Sequence, residues 1–265
     1  MIVMIRGGGD LASGIAVRLQ RCGIQVVITE LPEPLVVRRM VSFAEAVHRG
    51  EITVEDVVGQ LVTDLSELEN VWDQGRIPVL VDPELDSLSA LKPQVVVDAR
   101  MRKKPPETGL DLAPLVIGLG PGFTAGMDCH AVIETNRGHN LGCVYWEGSP
   151  EPDTGIPGSV GGYAAERVLR AAGKGPLETM VEIGDLVQKG QVLARSGGED
   201  IRSAFDGAVR GLLRSGTFVK QGMKIGDVDP RSDPAFAWIV SDKSRCLGGS
   251  VLEAILSREE LRSKL

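Results

Sequence analysis

The stretch Gly7-Gly8-Gly9-Asp10-Leu11-Ala12-Ser13-Gly14 follows directly on the apolar run Ile2-Val3-Met4-Ile5 and decides the fold class of this chain. A buried strand that ends in glycines and then opens a helix is typical of a Rossmann-type domain, because such a turn presents backbone N–H groups to a ligand phosphate. Gly7, Gly9 and Ala12 have the G-x-G-x-x-A spacing of that turn. We therefore predict that Gly7, Gly8, Gly9 and Ala12 form the phosphate site of a nucleotide-type ligand.

Charged residues near this turn refine the prediction. The next apolar run, residues 24–29, ends at Glu30, about 20 residues past the glycines, where a dinucleotide-binding domain has an acid for a ribose hydroxyl. Asp10 brings a negative charge to the phosphate site, either as a ligand contact or as the N-cap of the helix. Arg38 and Arg39 would either bind a second phosphate or lie on an exposed helix face. The identity of the nucleotide stays open.

The first half of the chain is organised as alternating strands and helices. Apolar runs without alternation suit strands that are covered on both faces, as in a parallel sheet. Such runs occupy residues 2–5, 24–29, 77–81, 95–97 and 115–119. Helices are predicted for residues 42–49, with a capping box from Ser42 to Glu45, and for residues 66–74. This order predicts the α/β class, with a Rossmann-like, mostly parallel sheet and helices on both faces.

The second half predicts smaller β-structures. Residues 127–135 and 141–146 flank a short loop and predict a β-hairpin. Residues 184–190 and 216–222 are two copies of an internal repeat, which predicts a small all-β barrel-sandwich domain similar to the biotinyl and lipoyl carriers. The segment that joins the two halves, residues 195–200, contains no lysine, so we expect no covalently bound biotin or lipoate.

These patterns divide the chain into three parts. We predict a Rossmann-like nucleotide- or cofactor-binding domain with a β-hairpin extension (residues 1–173), the barrel-sandwich domain (174–230), and a C-terminal strand and helix (231–265). Further predicted elements are a helix at residues 160–172, a strand at 236–240 and a helix at 251–256. The pattern does not decide whether the C-terminal segment returns to the first domain.

Composition narrows the class of partner. The formal net charge is −7 and no long basic run occurs, so nucleic acid is not an expected partner. No apolar run approaches membrane-spanning length and no signal peptide precedes the first strand, so a membrane is not expected either. The 4 cysteines are scattered without a CxxC pair, which favours reduced thiols and a cytoplasmic location. The sequence leaves open whether the protein forms a homo-oligomer.

Two further strand ends supply candidate site residues. Gly120 and Gly122 lie in a glycine-rich loop that follows residues 115–119, and loops at the carboxyl ends of parallel strands bind ligands in open α/β sheets. The alternative is a tight turn into the hairpin. Arg100 follows residues 95–97 in a charged cluster that would hold an anionic ligand or form a solvated basic loop. That cluster comprises Asp98, Arg100, Arg102, Lys103 and Lys104.

The segment Asp128-Cys129-His130 is a candidate catalytic group. Neighbouring residues of a strand point to opposite faces, so Cys129 is expected to pack in the core and His130 is the better functional candidate. Cys246 is interpreted as a packing thiol. The chain has no zinc motif, Walker loop or G-x-S-x-G elbow, so we predict no metal site and assign no catalytic residue.

Taken together, these segments resemble the YqeB-type family, the accessory proteins of selenium-dependent molybdenum hydroxylases. The residues that carry the resemblance are 6–14, 27–32, 120–123, 134–139, 153–155 and 222–230. The chain is also distantly similar to the xanthine dehydrogenase accessory factors. The resemblance implies a maturation factor that inserts or modifies the molybdenum cofactor of a client molybdenum hydroxylase, with labile selenium as a further element.

The sequence leaves three functions open. The leading one is an accessory protein that holds a dinucleotide, either NAD(P) or a molybdopterin dinucleotide, at Gly7, Gly9 and Glu30. Arg100 and residues 120–126 would line the same crevice, and the barrel would contact the client enzyme. The second is an NAD(P)-dependent oxidoreductase with His130 or Cys129 near the nicotinamide, and the third is a non-catalytic scaffold or docking protein. The residue pattern does not decide whether any reaction is catalysed.

Overall fold

The computed structural model describes residues 1–102 and 109–264, and the chain forms two compact units. Unit 1 comprises Met1–Pro34, Val41–Thr154 and Val240–Leu265, and unit 2 comprises Leu35–Met40 and Gly155–Ile239. The unit borders after Thr154 and Ile239 differ from the boundaries at 173 and 230 that the sequence suggests. The C-terminal segment belongs to the same unit as the glycine turn.

A nine-stranded sheet organises the described part of unit 1, in the order β3-β4-β5-β2-β1-β6-β7-β8-β9. Its strands are β1 (Ile2–Arg6), β2 (Gln25–Glu30), β3 (Glu51–Val54), β4 (Val57–Val62), β5 (Ile77–Val81), β6 (Val95–Asp98), β7 (Leu115–Leu119), β8 (Ala131–Ile133) and β9 (Val144–Tyr145). The seven inner strands run parallel, and β3 and β9 pair antiparallel at the two edges. The predicted mostly parallel sheet and the hairpin of β8 and β9 are confirmed.

The helices cover both faces of this sheet. They are α1 (Asp10–Arg21), α2 (Ala46–Arg49), α3 (Leu68–Asp73), α4 (Leu88–Leu91), α5 (Asp242–Leu256) and α6 (Glu259–Arg262). Short 3-10 helices span Arg39–Val41, Phe43–Glu45, Leu65–Glu67, Leu110–Leu112 and Pro234–Ala237. On one face, Val3 and Ile5 of β1 pack with Ile15 of α1 and Val251 of α5. On the opposite face, Met4 packs in a second cluster with residues of α3.

Several predicted elements of unit 1 differ in detail. The capping box at Ser42 is wrong: the Ser42 side chain makes no cap hydrogen bond, and Glu45 is buried and accepts from Arg49 Nε at 2.9 Å. A capping box occurs instead at Asp64 and Glu67, ahead of α3. The hairpin of β3 and β4 was not predicted, because its turn contains Glu55 at a φ of 58° and no glycine.

Unit 2 consists of small antiparallel sheets around its own apolar core. Its strands are β10 (Val168–Arg170), β11 (Gly175–Pro176), β12 (Glu178–Thr179), β13 (Leu186–Val187), β14 (Val192–Ser196), β15 (Glu199–Arg202), β16 (Gly207–Leu212), β17 (Phe218–Val219) and β18 (Lys224–Asp229). They form the sheets β10-β18-β16-β13, β11-β17 and β12-β14-β15. The two sequence repeats supply β13 and β17, and β14 and β15 are joined by Gly197 and Gly198.

Two predicted elements of the second half are wrong, and α5 is longer than predicted. Residues 160–172 form no helix, because Gly161 and Gly162 have φ values of 57° and 87° and residues 168–170 pair with β18. Residues 236–240 form no strand, because the Asp233 side chain accepts from Ala235 N at 2.9 Å and begins a 3-10 helix. The helix at 251–256 starts earlier, at Asp242, because the Ser241 side chain caps it.

The segment Leu35–Met40 lies in unit 2, which corrects the interpretation of its arginines. Arg38 is buried and donates to the carbonyl oxygens of Phe236 and Ile239, and Arg39 Nε donates to Leu212 O at 2.7 Å. These side chains therefore anchor a chain segment to unit 2. Separately, no helix among the described residues has the length and apolar composition needed to cross a membrane.

Candidate functional site

The glycine turn joins the carboxyl end of β1 to the start of α1. Gly7 has a φ of 89°, a conformation that glycine adopts without strain, and its N–H donates to Thr29 O at 2.7 Å. Gly9 is the N-cap of α1, and it offers no side-chain cap. Asp10 is therefore the first residue of the helix and not its N-cap. An acid in the first turn of a helix is favourably placed in the helix dipole.

Glu30 lies against this turn. Its Oε2 accepts from Gly8 N at 2.7 Å, and its Oε1 accepts from Leu31 N at 2.7 Å. The parallel register of β1 and β2 produces the contact, because Arg6 pairs with Thr29 and both strands end at the same edge. The acid of the second strand and the backbone of the glycine turn thus form one polar site.

Gly8 is needed for packing within the chain. Its carbonyl oxygen accepts from Ala44 N at 2.9 Å and from Ser13 Oγ at 3.1 Å. A Cβ added at Gly8 would come within 2.7 Å of Ala44 N. Ala12, the last member of the predicted spacing, is buried in α1. The structure thus explains Gly8 and Ala12 by packing of the turn and helix, independently of any ligand.

A charged cluster lies at the carboxyl ends of β1 and β6. Asp98 is fully buried and accepts from Arg100 Nε at 3.0 Å and from a terminal nitrogen of Arg100 at 2.6 Å. The guanidinium of Arg6 lies 3.8 Å from the same carboxylate and is itself buried. A Cβ added at Gly7 would come within 3.2 Å of Arg100 Cγ, so Arg100 lies beside the glycine turn. Lys103 and Lys104 lie outside the described residues.

The loop after β7 reaches the same edge of the sheet. Gly120 and Gly122 have φ values of 74° and 104°. A Cβ added at Gly120 would come within 3.3 Å of Met101 Cε, which places this glycine next to the residue that follows Arg100. Phe123 is buried under Gly118 and holds the loop against β7.

The surroundings of Cys129 and His130 indicate structural roles for both residues. Cys129 is fully buried, and burial raises the pKa of its thiol to about 11. His130 Nδ1 accepts from Val116 N at 2.9 Å, and burial, with a smaller effect from Arg258, lowers the pKa of its imidazole. Both residues precede β8, so they lie at its amino end. Cys246 is half-buried, and its Sγ donates to Leu141 O at 3.5 Å.

A second charged group, which the sequence did not predict as a site, lies at the start of α5. Lys243 is half-buried, and burial, reinforced by Arg137, lowers the pKa of its ammonium group while Asp10, Glu134 and Asp242 raise it. Arg137 holds Asp242 in a two-pronged ion pair and brings the pKa of that carboxyl to about 2. The serine at 241, a typical N-cap residue, was the available signal for a helix start here.

The structure therefore brings together Gly7, Gly8, Glu30 and Arg100, with Gly120 adjacent through Met101. Within residues 1–102 and 109–264, no three His, Cys, Asp or Glu side chains form a group that could hold a metal ion. The N–H groups of Gly7 and Gly8 donate within the chain, so the start of α1, one acid and nearby cations are the groups that can bind a ligand with hydroxyls and phosphates.

Fold and site define an α/β protein with a large, mostly parallel sheet and additional small antiparallel sheets, with a polar site where the sheet strands end. No family model matches the chain. The chain is 49% identical over 255 residues to the uncharacterized protein YqeB of Escherichia coli strain K12. The match covers 96% of this chain and 47% of YqeB, so the chain spans about half the length of that relative.

Solved structures give weaker similarities. An aspartoacylase family protein from Mesorhizobium loti aligns at 12% identity, covering 86% of this chain and 84% of that protein, with a TM-score of 0.27. The product-bound ectoine utilization protein EutE (DoeB) from Ruegeria pomeroyi aligns at 13% identity, covering 80% of this chain and 61% of that protein, with a TM-score of 0.24. We draw no functional conclusion from these two similarities.

Proposed function

We propose that unit 1 is a Rossmann-like domain that binds a nucleotide or dinucleotide at the turn of Gly7, Gly8 and Gly9. The contact between Glu30 Oε2 and Gly8 N carries this proposal. It places a carboxylate beside the glycine turn, where it can accept from a ribose hydroxyl while the start of α1 receives the phosphate. Arg100 and Gly120, with Gly122 further along the same loop, extend the site toward the second half of a dinucleotide.

The biological role that we propose is maturation of a selenium-dependent molybdenum hydroxylase. It comes from the resemblance of the sequence to the YqeB-type family, and the 49% identity to YqeB supports that resemblance without naming an activity. The ligand would then be a dinucleotide form of the molybdenum cofactor. The residues described above fit its nucleotide part, and the molybdenum chemistry would be supplied by the cofactor itself.

Unit 2 would be the barrel-sandwich module that contacts the client hydroxylase. Leu186 and Phe218 occupy the same position in the two sequence repeats and are 62% and 61% exposed. Aromatic side chains such as that of Phe218 are enriched at protein interfaces relative to the rest of the surface. The hairpin between β14 and β15 turns at Gly197 and Gly198, and the absence of a lysine there argues against a covalently attached group.

Ligand binding tests the proposal directly. Thermal unfolding and calorimetry would be measured with cytidine nucleotides, NAD(H), NADP(H) and isolated molybdenum cofactor. A ligand that binds only the folded state at about 100 times its Kd adds about 2.7 kcal/mol of stability. We expect a cytidine nucleotide or the molybdenum cofactor to stabilise the protein, and Glu30→Gln to weaken that binding about 10-fold or more.

The matched control is Glu33→Gln, which makes the same change at an exposed position three residues away. It should leave affinity unchanged. Equal affinity of wild type and Glu30→Gln would remove Glu30 from the site, and no stabilisation by any nucleotide would favour the scaffold hypothesis. Stabilisation by a nicotinamide nucleotide alone would favour the oxidoreductase, although Cys129 and His130 lie at the amino end of β8, away from the strand ends that bind ligands.

A further inference from the structure

Lys243 is half-buried, and the structure gives its ammonium group no hydrogen bond or ion pair within the described chain. Its charge interacts at longer range with Asp10, Glu134, Asp242 and Arg137. Partly removing an ammonium group from water costs free energy, and a nearby anion offsets that cost.

Two of the three acids around Lys243, Asp242 and Glu134, are engaged with other partners. Asp242 pairs with Arg137 through both carboxylate oxygens. Glu134 is fully buried, and its carboxylate accepts from Asn136 N and from Glu151 N, each at 2.6 Å. Neither carboxylate lies within ion-pair distance of Lys243, so the ammonium group keeps its capacity for a further anion.

The start of α5 lies at the ligand edge of the sheet. Ser244 Oγ donates to Asp10 O at 2.6 Å, which fixes the first turn of α5 to the first turn of α1, next to the glycine turn. The pair of Arg137 and Asp242 fixes it also to the loop that follows β8. In the sheet, β6 and β7 lie between β1 and β8. Arg100 follows β6 and Gly120 follows β7, so the first turn of α5, which carries Lys243, lies at the same ends of the strands as these two residues.

We propose that Lys243 binds an anionic group of the ligand, namely the diphosphate of a nucleoside diphosphate or dinucleotide. The assignment rests on the proposed nucleotide site and adds its specificity: the site would select for phosphate charge as well as for a nucleoside. Lys243 thus acts as a binding residue, together with the start of α1.

Calorimetry on the full chain tests the assignment, with cytidine, cytidine diphosphate and inorganic pyrophosphate as the probes. Lys243→Met should weaken binding of cytidine diphosphate and pyrophosphate by about 10- to 100-fold and leave cytidine unaffected. Lys243→Arg should restore part of the loss, because it restores the charge. Lys189→Met removes an exposed lysine of unit 2 and should change nothing.

A second measurement reports on Lys243 without relying on nucleotide affinity. The lysines are dimethylated with a ¹³C label, which keeps their charge, and the Lys243 signal is assigned by its absence from Lys243→Arg. We expect pyrophosphate to shift this signal. If the signal shifts but no nucleotide binds, the assignment of Lys243 as an anion-binding residue is supported and the proposed nucleotide-binding function is wrong. If nucleotides bind wild type and Lys243→Met equally, or if pyrophosphate leaves the signal unchanged, the assignment to Lys243 is overturned.

Discussion

The fully buried carboxylate of Asp98 forms ion pairs with the guanidinium groups of both Arg6 and Arg100. Removing its charge leaves two cations with reduced compensation, and breaking a buried ion pair in this way costs about 3–5 kcal/mol. We therefore expect Asp98→Asn to lower the free energy of unfolding by about that amount, as measured by urea denaturation. Asp73→Asn, at an exposed position of α3, is the control. A loss below about 1 kcal/mol would mean that the cluster is solvated in solution.

Asp242 gives a prediction of pH dependence. Its pKa in the folded protein is lowered to about 2 by the hydrogen bond from Arg137, against about 3.9 in an unfolded chain. A group whose folded pKa is lowered stabilises the protein above its unfolded pKa, and this stabilisation disappears as the pH falls toward 2. Because the carboxylate is 73% exposed, we expect Asp242→Asn to cost only about 0.5–1 kcal/mol at pH 7.

Urea denaturation of wild type and Asp242→Asn between pH 7 and pH 3 checks this expectation. The difference in free energy of unfolding should be constant above pH 5 and decrease below pH 4. A difference that increases on acidification would contradict the ion pair.

At the scale of elements, the packing of α1 on α5 depends on Gly14. A Cβ added there would come within 2.8 Å of Ser244 Cβ and 3.2 Å of a backbone carbon of Ser244. Alanine is favoured over glycine by about 1 kcal/mol within a helix, so Gly14→Ala destabilises only if the steric clash exceeds that gain. We expect a net loss of about 1–3 kcal/mol in the free energy of unfolding.

Gly249 of α5 is the matched control, because a Cβ added there meets no atom within 4 Å. Gly249→Ala should raise the free energy of unfolding by up to about 1 kcal/mol. Opposite signs for the two glycine substitutions would confirm the close approach of the helices. A stabilising Gly14→Ala would show that they separate in solution.

The elements also show what the sequence could predict. The inner strands could be predicted because runs such as Val95–Asp98 are buried on both faces and have no polar alternation. The structure of residues 160–172 could not be predicted, because the strand at residues 168–170 forms by pairing with β18, which lies far along the chain. Glu30 contacts Gly8 because β1 and β2 are parallel and end side by side, whereas the nucleotide site predicted at these residues stays a prediction. The sequence did not indicate Lys243 as a site residue, because Asp10 and Glu134 are distant from it in sequence. The packing of α5 brings the three residues near one another.

At the scale of the whole molecule, unit 1 requires its C-terminal segment. The buried residues Leu247, Val251, Ala254 and Ile255 of α5 belong to the same core as β1. Replacing one large buried apolar side chain by alanine costs about 2–5 kcal/mol, and a domain has only about 5–15 kcal/mol of stability. We therefore expect deletion of residues 240–265 to abolish cooperative unfolding of unit 1, as measured by near-ultraviolet circular dichroism.

Co-expression of residues 240–265 as a separate chain is the control for this deletion. Binding of that chain should restore the cooperative transition, because it returns the same apolar side chains to the same face of the sheet. A cooperative transition in the deleted protein alone would mean that the remaining core is sufficient.

The discontinuous layout of the units has a consequence for synthesis on the ribosome. Part of the apolar layer that covers one face of the large sheet is made after all of unit 2, since α5 follows Ile239. While unit 2 emerges, the nascent sheet exposes the apolar surface that α5 later occupies. We expect a chaperone that recognises apolar nascent chains to associate with the growing chain during this interval and to leave once α5 has emerged.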